Sequence, residues 1–318
     1  MEKRSIVLIA NPHAGRGDGA RREREIKIFC ETLAKRGVDV EVRSTLAPHD
    51  ATRLTAEAVR EGASLVIVSG GDGTINEALQ SIVGSNVELA VWPRGTANVL
   101  AHELRLPFDA VRAAEMIARG NTRAIYAGCA IREGDNSDNT DAHAIHHNNP
   151  SEHNARRYFL LMAGIGLDAS VVERVQPRLK RRVGKAAFWY SGLEHLTFWQ
   201  PRLFKVEVDG ESHDATFAAI GKAAHYGGGL SVTPRADLTK PEFEMCVVGA
   251  RNRFRFLYLL AHTLRAGGVP ASVRDVRFVR ATHIRATGDA SVQADGELIG
   301  RLPMRFEIIP QPIKIVVP

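Results

Sequence analysis

The chain has 318 residues, 44% of them apolar and 25% charged, with 42 Lys and Arg against 36 Asp and Glu, giving a formal net charge of +6. This is ordinary for a soluble globular protein, and no apolar run is long enough to span a bilayer. The length points to two domains, and Cys30, Cys129 and Cys246, odd in number and far apart, point to a reducing, cytoplasmic compartment without a disulfide framework. The positive balance suits an anionic cofactor or an anionic membrane surface. With 6% aromatic residues and no nucleic-acid motif, nucleic acid is not an expected partner.

In chain order, Ser5 to Ala10 is an apolar run that reads as a first strand rather than a signal peptide. The loop Asn11-Pro12-His13-Ala14-Gly15-Arg16-Gly17 follows it. Ile26, Phe29, Cys30 and Leu33 then recur at helical spacing, and Gly37 sits where a helix stops. Val38 to Val42 reads as a second strand, ending at Arg43-Ser44-Thr45. Asp50 is expected to cap the next helix, with Leu54, Ala58 and Val59 on one face. Leu65 to Val68 is a buried strand that breaks into Ser69-Gly70-Gly71-Asp72-Gly73-Thr74. Ile75, Ala78, Leu79, Ile82 and Val83 form the apolar stripe of the helix behind it. Leu89 to Trp92 is a further strand, broken by Pro93-Arg94-Gly95-Thr96. Strand and helix alternating at this spacing predict an α/β domain with a parallel sheet covered on both faces.

From Tyr126 alternating strands dominate, as in Phe204 to Val208, Glu244 to Val248 and Arg305 to Ile309. They predict a mainly antiparallel second domain over residues 126–299, after a first domain over 1–125. Helical interruptions are expected at about Gly184 to Leu196 and Arg253 to Arg265. Arg132 to Asn154 reads as a flexible loop between strands. Its His143, His146, His147 and His153 read as solvated rather than as metal ligands. Phe188, Trp189, Leu193, Leu196, Phe198 and Trp199 line either a greasy slot or a core. Lys180-Arg181-Arg182 and the run Arg251, Arg253, Arg255 beside Phe254, Phe256 and Leu257 either dock anionic lipid or are solvated charge.

In an open parallel sheet, ligands sit beyond the carboxyl ends of the strands. Asn11 to Gly17, Gly70 to Thr74 and Pro93 to Asn98 all leave strands at such ends. Each mixes glycine with hydroxyl, amide or basic groups, as a phosphate cradle requires. In the second domain, Asp295-Gly296-Glu297 reads either as a hairpin turn, which Asp-Gly favours, or as a pair of carboxylates for acid–base work.

Gly70-Gly71-Asp72-Gly73-Thr74-Ile75-Asn76-Glu77 resembles the nucleotide loop of the diacylglycerol kinase catalytic-domain family, which includes bacterial lipid kinases and sphingosine kinases. Asn11-Pro12-His13-Ala14-Gly15 resembles its first phosphate loop, and Arg94 to Ala101 its third. Ala163 to Ala169, Tyr226 to Gly229 and Asp295 to Glu297 extend the likeness over nearly the whole chain. The resemblance implies a phosphofructokinase- and NAD kinase-like first domain, completed by residues 300–318, and a β-sandwich second domain. It implies ATP bound by Asn11, Pro12, His13, Ala14, Gly15, Thr45, Gly71, Asp72, Gly73, Thr74, Ile75, Asn76, Glu77 and Thr96, with Asp72 near a catalytic Mg2+. It further implies Asp295 and Glu297 as the general base and its support, which of the two takes the proton being open.

The implied activity is transfer of the γ-phosphate of Mg-ATP to a lipid hydroxyl, of a diacylglycerol or of another lipid alcohol such as a long-chain base, in phospholipid biosynthesis. The implied setting is a peripherally membrane-associated protein, as a homodimer, with the lipid entering between domains. Many relatives hold a structural magnesium through an Asp-Gly pair after Pro-x-Ala. Here Pro234-Arg235-Ala236 is followed by Lys240-Pro241, so no structural Mg2+ is expected, and Lys240 itself is the candidate to fill that position; Asp237 and Glu244 are weak substitutes. An NAD kinase-like enzyme and a non-catalytic lipid- or nucleotide-binding protein are the alternatives.

Overall fold

A computed structural model describes residues 5–15, 19–134, 155–167, 169, 202–226, 230–250, 252–269 and 273–318. The expectations placed on Arg16, Gly17, the four histidines from His143 to His153, Asp168, the stretch Lys180 to Trp199, Gly227 to Gly229 and Arg251 lie outside the described residues. The chain divides into two compact units: Met1–Tyr126 with Gln311–Pro318, and Ala127–Pro310.

The first unit begins with strand Ile6–Ala10 (β1), helix Gly19–Ala34 (α1), strand Glu41–Ser44 (β2) and helix Asp50–Arg60 (α2). It continues with strand Leu65–Gly70 (β3), helix Asp72–Ile82 (α3) and strand Glu88–Pro93 (β4). Helices Val99–Glu103 (α4) and Ala110–Arg119 (α5) and strand Thr122–Ile125 (β5) follow. Every residue of β1 and β3 is buried, as strands covered on both faces must be, which is why they read as unbroken apolar runs. β1 pairs in parallel with β2 and β3, and β3 in parallel with β4. Phe29 of α1 is fully buried and stacks on Trp92 of β4 with ring centroids 4.4 Å apart.

Two local expectations are corrected. The second strand runs Glu41–Ser44 rather than from Val38, because the Val38 N–H donates back to the Leu33 carbonyl at 3.0 Å. That bond closes the end of α1 around the left-handed Gly37, so Val38 is spent on the helix terminus. Asp50 does not cap α2. It is the first helical residue, behind a left-handed His49. Its carboxylate instead accepts the N–H groups of Leu46 at 2.7 Å and Ala47 at 3.0 Å.

The second unit opens with strands Gly128–Arg132 (β6), Arg156–Phe159 (β7), Met162–Gly166 (β8), Phe204–Val208 (β9), Glu211–Ala215 (β10) and Phe217–Gly221 (β11). Strands His225–Tyr226 (β12), Leu230–Ser231 (β13) and Phe243–Val248 (β14) lead to helix Arg253–Ala266 (α6). Strands Val276–Ala281 (β15), His283–Gly288 (β16), Ser291–Ala294 (β17), Glu297–Arg301 (β18) and Met304–Ile308 (β19) complete it. Two six-stranded antiparallel sheets result, β10-β9-β16-β19-β6-β7 and β15-β14-β11-β8-β17-β18. They share one core, with Val206, Ile284 and Phe306 from the first sheet and Ile165, Ile220, Met245 and Val292 from the second. Cys129 and Cys246 are free and buried in these sheets, and burial pushes both thiols up to about 12, leaving them unreactive.

The chain does not rejoin the first unit at residue 300. Residues 304–308 form β19, which pairs with β6 and β16 inside the second unit. Only Ile313–Val316 (β20) enters the first sheet, parallel to β4 on one side and antiparallel to β5 on the other. Ile315 on this inserted strand is fully buried, whereas Lys314 faces solvent. Ile315→Ala is therefore expected to cost about 2–5 kcal/mol of stability. Lys314→Ala should stay within about 0.5 kcal/mol of the parent chain in the same denaturant titration.

Candidate functional site

Because β1, β3 and β4 are neighbours, their carboxyl ends lie about 4.8 Å apart and the loops leaving them are forced together. The Asn11 side chain crosses from the first loop to donate to the Thr74 hydroxyl at 2.9 Å, and the Asn11 N–H donates to the Ser69 carbonyl at 2.9 Å. The second and third loops meet backbone to backbone. A Cβ on Gly95 would lie 2.5 Å from the Gly71 Cα and 2.8 Å from the Asn98 side-chain oxygen. A Cβ on Gly15, which sits at φ +76°, would lie 2.2 Å from the Arg94 carbonyl oxygen. Only glycine fits at these points.

Asn98, in the left-handed region, brackets Gly95 by accepting its N–H at 2.7 Å and donating to its carbonyl at 2.8 Å. Asp72 lies in the first turn of α3, and its carboxylate accepts the Leu100 N–H at 3.3 Å. Thr45, 5% exposed, joins the group from the end of β2, where its N–H donates to the Ala10 carbonyl. Asn11, Pro12, His13, Ala14, Gly15, Thr45, Gly71 and Thr96, on loops, and Asp72, Gly73 and Thr74, in the first turn of α3, therefore all lie at one edge of one sheet. Gly73 differs from Gly15, Gly70, Gly71 and Gly95 around it, because a Cβ there would meet nothing within 4 Å.

Three predicted contributors do other work. Ile75 is a core residue at 2% exposure, and Asn76 is equally buried within α3. The Glu77 carboxylate accepts the Ala51 N–H at 3.2 Å, at the start of α2, where the helix dipole favours a negative charge. The sequence reading passed over Arg22 and named Arg94 only as part of the third loop, without its partners. The Arg22 guanidinium donates to the carbonyls of Pro12 at 2.5 Å and Gly15 at 3.0 Å, holding the first loop closed. Arg94 pairs with Glu25 and lies 4.8 Å over the Trp92 ring.

In the second unit, Asp295 and Gly296 form a two-residue turn between β17 and β18, with φ of 47° and 84°. Both values are positive, as a type I′ hairpin demands, so the hairpin reading of Asp-Gly is correct as structure. The Asp295 carboxylate accepts the N–H groups of Leu160 at 2.8 Å, Leu161 at 2.9 Å and Met162 at 2.9 Å. It thereby clips the turn between β7 and β8. Glu297 is ion-paired with Arg157.

Lys240 is exposed, so it does not fill a cation position. Glu244 is buried and accepts the Arg235 N–H at 2.5 Å. On α6, Phe254 and Tyr258 are 65% and 50% exposed, while Phe256 is buried and Arg255 is committed to Asp275 at 2.9 Å. No described helix is long and apolar enough to cross a membrane.

Comparison with known proteins follows the same division. Residues 5–130 match the diacylglycerol kinase catalytic domain, and residues 162–317 match the YegS C-terminal NAD kinase beta sandwich-like domain. The chain is 27% identical to a diacylglycerol kinase of Mycobacterium tuberculosis over 317 residues, covering 98% of this chain and 95% of the relative. It is 25% identical to a diacylglycerol kinase of Bacillus subtilis over 321 residues, with coverage of 98% and 95%. A crystal structure of a diacylglycerol kinase from Bacillus anthracis superposes with a TM-score of 0.71 at 20% identity, covering 100% of this chain and 98% of that one. A second B. anthracis structure reaches a TM-score of 0.77 at 22% identity, with coverage of 99% and 97%. These structural likenesses establish the fold.

The glycines of the cradle separate by substitution. Gly95→Ala must push the Gly71 and Gly95 backbones apart and should lower the melting temperature by several degrees, on the order of 1–3 kcal/mol. Gly73→Ala, inside a helix with open space around it, should leave the melting temperature unchanged or raise it, by up to about 1 kcal/mol. Calorimetry on the two variants checks both.

Proposed function

The chain belongs to the diacylglycerol kinase catalytic-domain family, and on that premise we propose that it transfers the γ-phosphate of magnesium-ATP to a lipid hydroxyl. The observation that carries the nucleotide half is the cradle at the ends of β1, β3 and β4. Its glycines are required by packing at Gly15 and Gly95, yet at Gly73 packing requires nothing. A glycine with free space in the first turn of α3 leaves a ligand room to approach the backbone. The first N–H groups of a helix lack intrahelical acceptors and suit phosphate oxygens. In this reading Asn11 to Gly15, Thr45, Gly71 to Thr74 and Thr96 surround the phosphates.

Among the described residues, no three His, Cys, Asp or Glu side chains cluster to hold a metal. Mg2+ in its usual kinase role is held by few carboxylates and largely by the phosphates it neutralises. Asp72 is the carboxylate placed to hold it, since a carboxylate beside phosphates repels them unless a cation intervenes.

The acceptor hydroxyl needs a base. Asp295 has three of its roughly four acceptor positions occupied by backbone N–H groups. We assign it to positioning the hairpin, and Glu297 to taking the proton from the lipid hydroxyl. Phe254 and Tyr258, one turn apart on the exposed side of α6, supply an aromatic surface for peripheral contact with a membrane.

The test is incubation with labelled ATP, Mg2+ and a panel of diacylglycerol, long-chain bases and other lipid alcohols, with NAD as a separate acceptor. Label in lipid is expected. Glu297→Gln should reduce kcat by 100-fold or more, about 2.7 kcal/mol, at unchanged melting temperature. Asp295→Asn should lower both activity and melting temperature, because three N–H groups lose a carboxylate. Label in NAD, or nucleotide binding without turnover on any lipid, contradicts the proposal. Full activity in Glu297→Gln contradicts the assignment of the base.

A further inference from the structure

Lys222 directly follows β11 and is fully buried, with no exposed surface. A buried ammonium must find acceptors for its N–H groups or lose its charge. The Lys222 Nζ donates to the backbone carbonyls of Asp237 at 3.1 Å, Glu242 at 3.0 Å and Lys240. Three donors thus meet three carbonyl oxygens, all from one short stretch, 237–242.

That stretch is itself a built turn. The Lys240 N–H donates to the Asp237 carbonyl at 3.1 Å, and the Asp237 carboxylate accepts both the N–H of Thr239 at 2.9 Å and its hydroxyl at 2.7 Å. Carbonyl oxygens converging on one centre, with carboxylates close by, are the donor set of a hard cation. The charges of Asp237 and Glu242 act on the ammonium in the same favourable sense. Burial pushes its pKa down to about 8 against them, so it remains protonated at neutral pH.

The arrangement leaves no room for a structural magnesium on these carbonyls, because the chain's own cation already sits on them. The main chain at Lys222 continues the connection. The N–H groups of Lys222 and Ala223 donate to the Leu161 carbonyl at 2.8 and 3.0 Å, and the Leu161 N–H is one of the groups held by Asp295. The turn, the end of β11 and the Asp295 clip are therefore joined through Lys222 and Leu161.

We propose that the 237–242 turn is a cation site occupied by the Lys222 ammonium in place of a metal ion, and that it takes a free metal cation once the ammonium is removed. Lys222→Ala should lower the melting temperature of the nucleotide-free full chain by on the order of 10 °C, as loss of the partner of buried polar groups does. Millimolar Ca2+, Mg2+ or K+ should restore at least half of the loss. Lys222→Met, whose side chain refills the space, should lose stability without regaining it. The wild-type melting temperature should be the same in EDTA and in each cation.

Wild-type protein with 15N-labelled lysine gives a readout that survives a variant's failure to fold. One slowly exchanging ammonium signal is expected at pH 7, unmoved by EDTA and absent from any folded Lys222 variant. The proposal is overturned if the melting temperature of Lys222→Ala is indifferent to all three cations, if EDTA lowers that of the wild type, or if every lysine ammonium exchanges as fast as the free amino acid. None of these readouts involves phosphoryl transfer, so their failure is separate from failure of the kinase reading.

Discussion

The contact of the Gly71 and Gly95 backbones is the constraint on which the rest of the first unit's site depends. Two loops leaving neighbouring parallel strands diverge unless something holds them, and here nothing larger than hydrogen fits between them. Around that contact the polar groups are used up locally: Asn98 brackets Gly95, Asn11 reaches Thr74, Asp72 reaches Leu100, and Arg22 closes the first loop. The cradle is thus preorganised by its own side chains, which lowers what a phosphate ligand must spend on ordering it. At Gly73 the cradle is open, leaving a ligand room to approach the backbone.

The second unit solves a different problem with the same physics. It takes one partly buried anion, Asp295, and one fully buried cation, Lys222, into a β-sandwich and gives each of them main-chain partners. Asp295 collects three N–H groups and the Lys222 ammonium three carbonyls, and Leu161 links the two, its N–H bound to Asp295 and its carbonyl to the Lys222 main chain. A buried charge left without such partners costs several kcal/mol, so each of these residues fixes the path of the chain around it. This is how the two-residue turn Asp295-Gly296, with Glu297 directly after it, is held in one orientation.

Much of this was legible in the sequence. Glycine loops after apolar runs have few explanations other than tight turns or ligand approach, and three of them on adjacent strands narrowed the choice. What was not legible depended on long side chains and on sheet membership. The partners of Arg22 and Arg94 are set only when the loops meet. Lys222 looks like any cation after a strand, since nothing in its neighbours announces that three carbonyls will converge on it. Arg305 to Ile309 reads as one of the alternating second-domain strands, but its pairing with β6, and so the point after it where the chain returns to the first unit, could not be read from its own residues. Val38 was misplaced because its N–H closes a helix, a use that its β-branched side chain conceals.

The central claim is that the Gly73 side of the cradle holds the phosphates of ATP. Calorimetric titration of Mg-ATP into the parent chain and into Gly73→Val tests it most directly. The account predicts saturable binding by the parent and at least a tenfold loss of affinity, about 1.4 kcal/mol, in a variant that remains folded. Equal affinity in the two proteins would place the nucleotide elsewhere and contradict it.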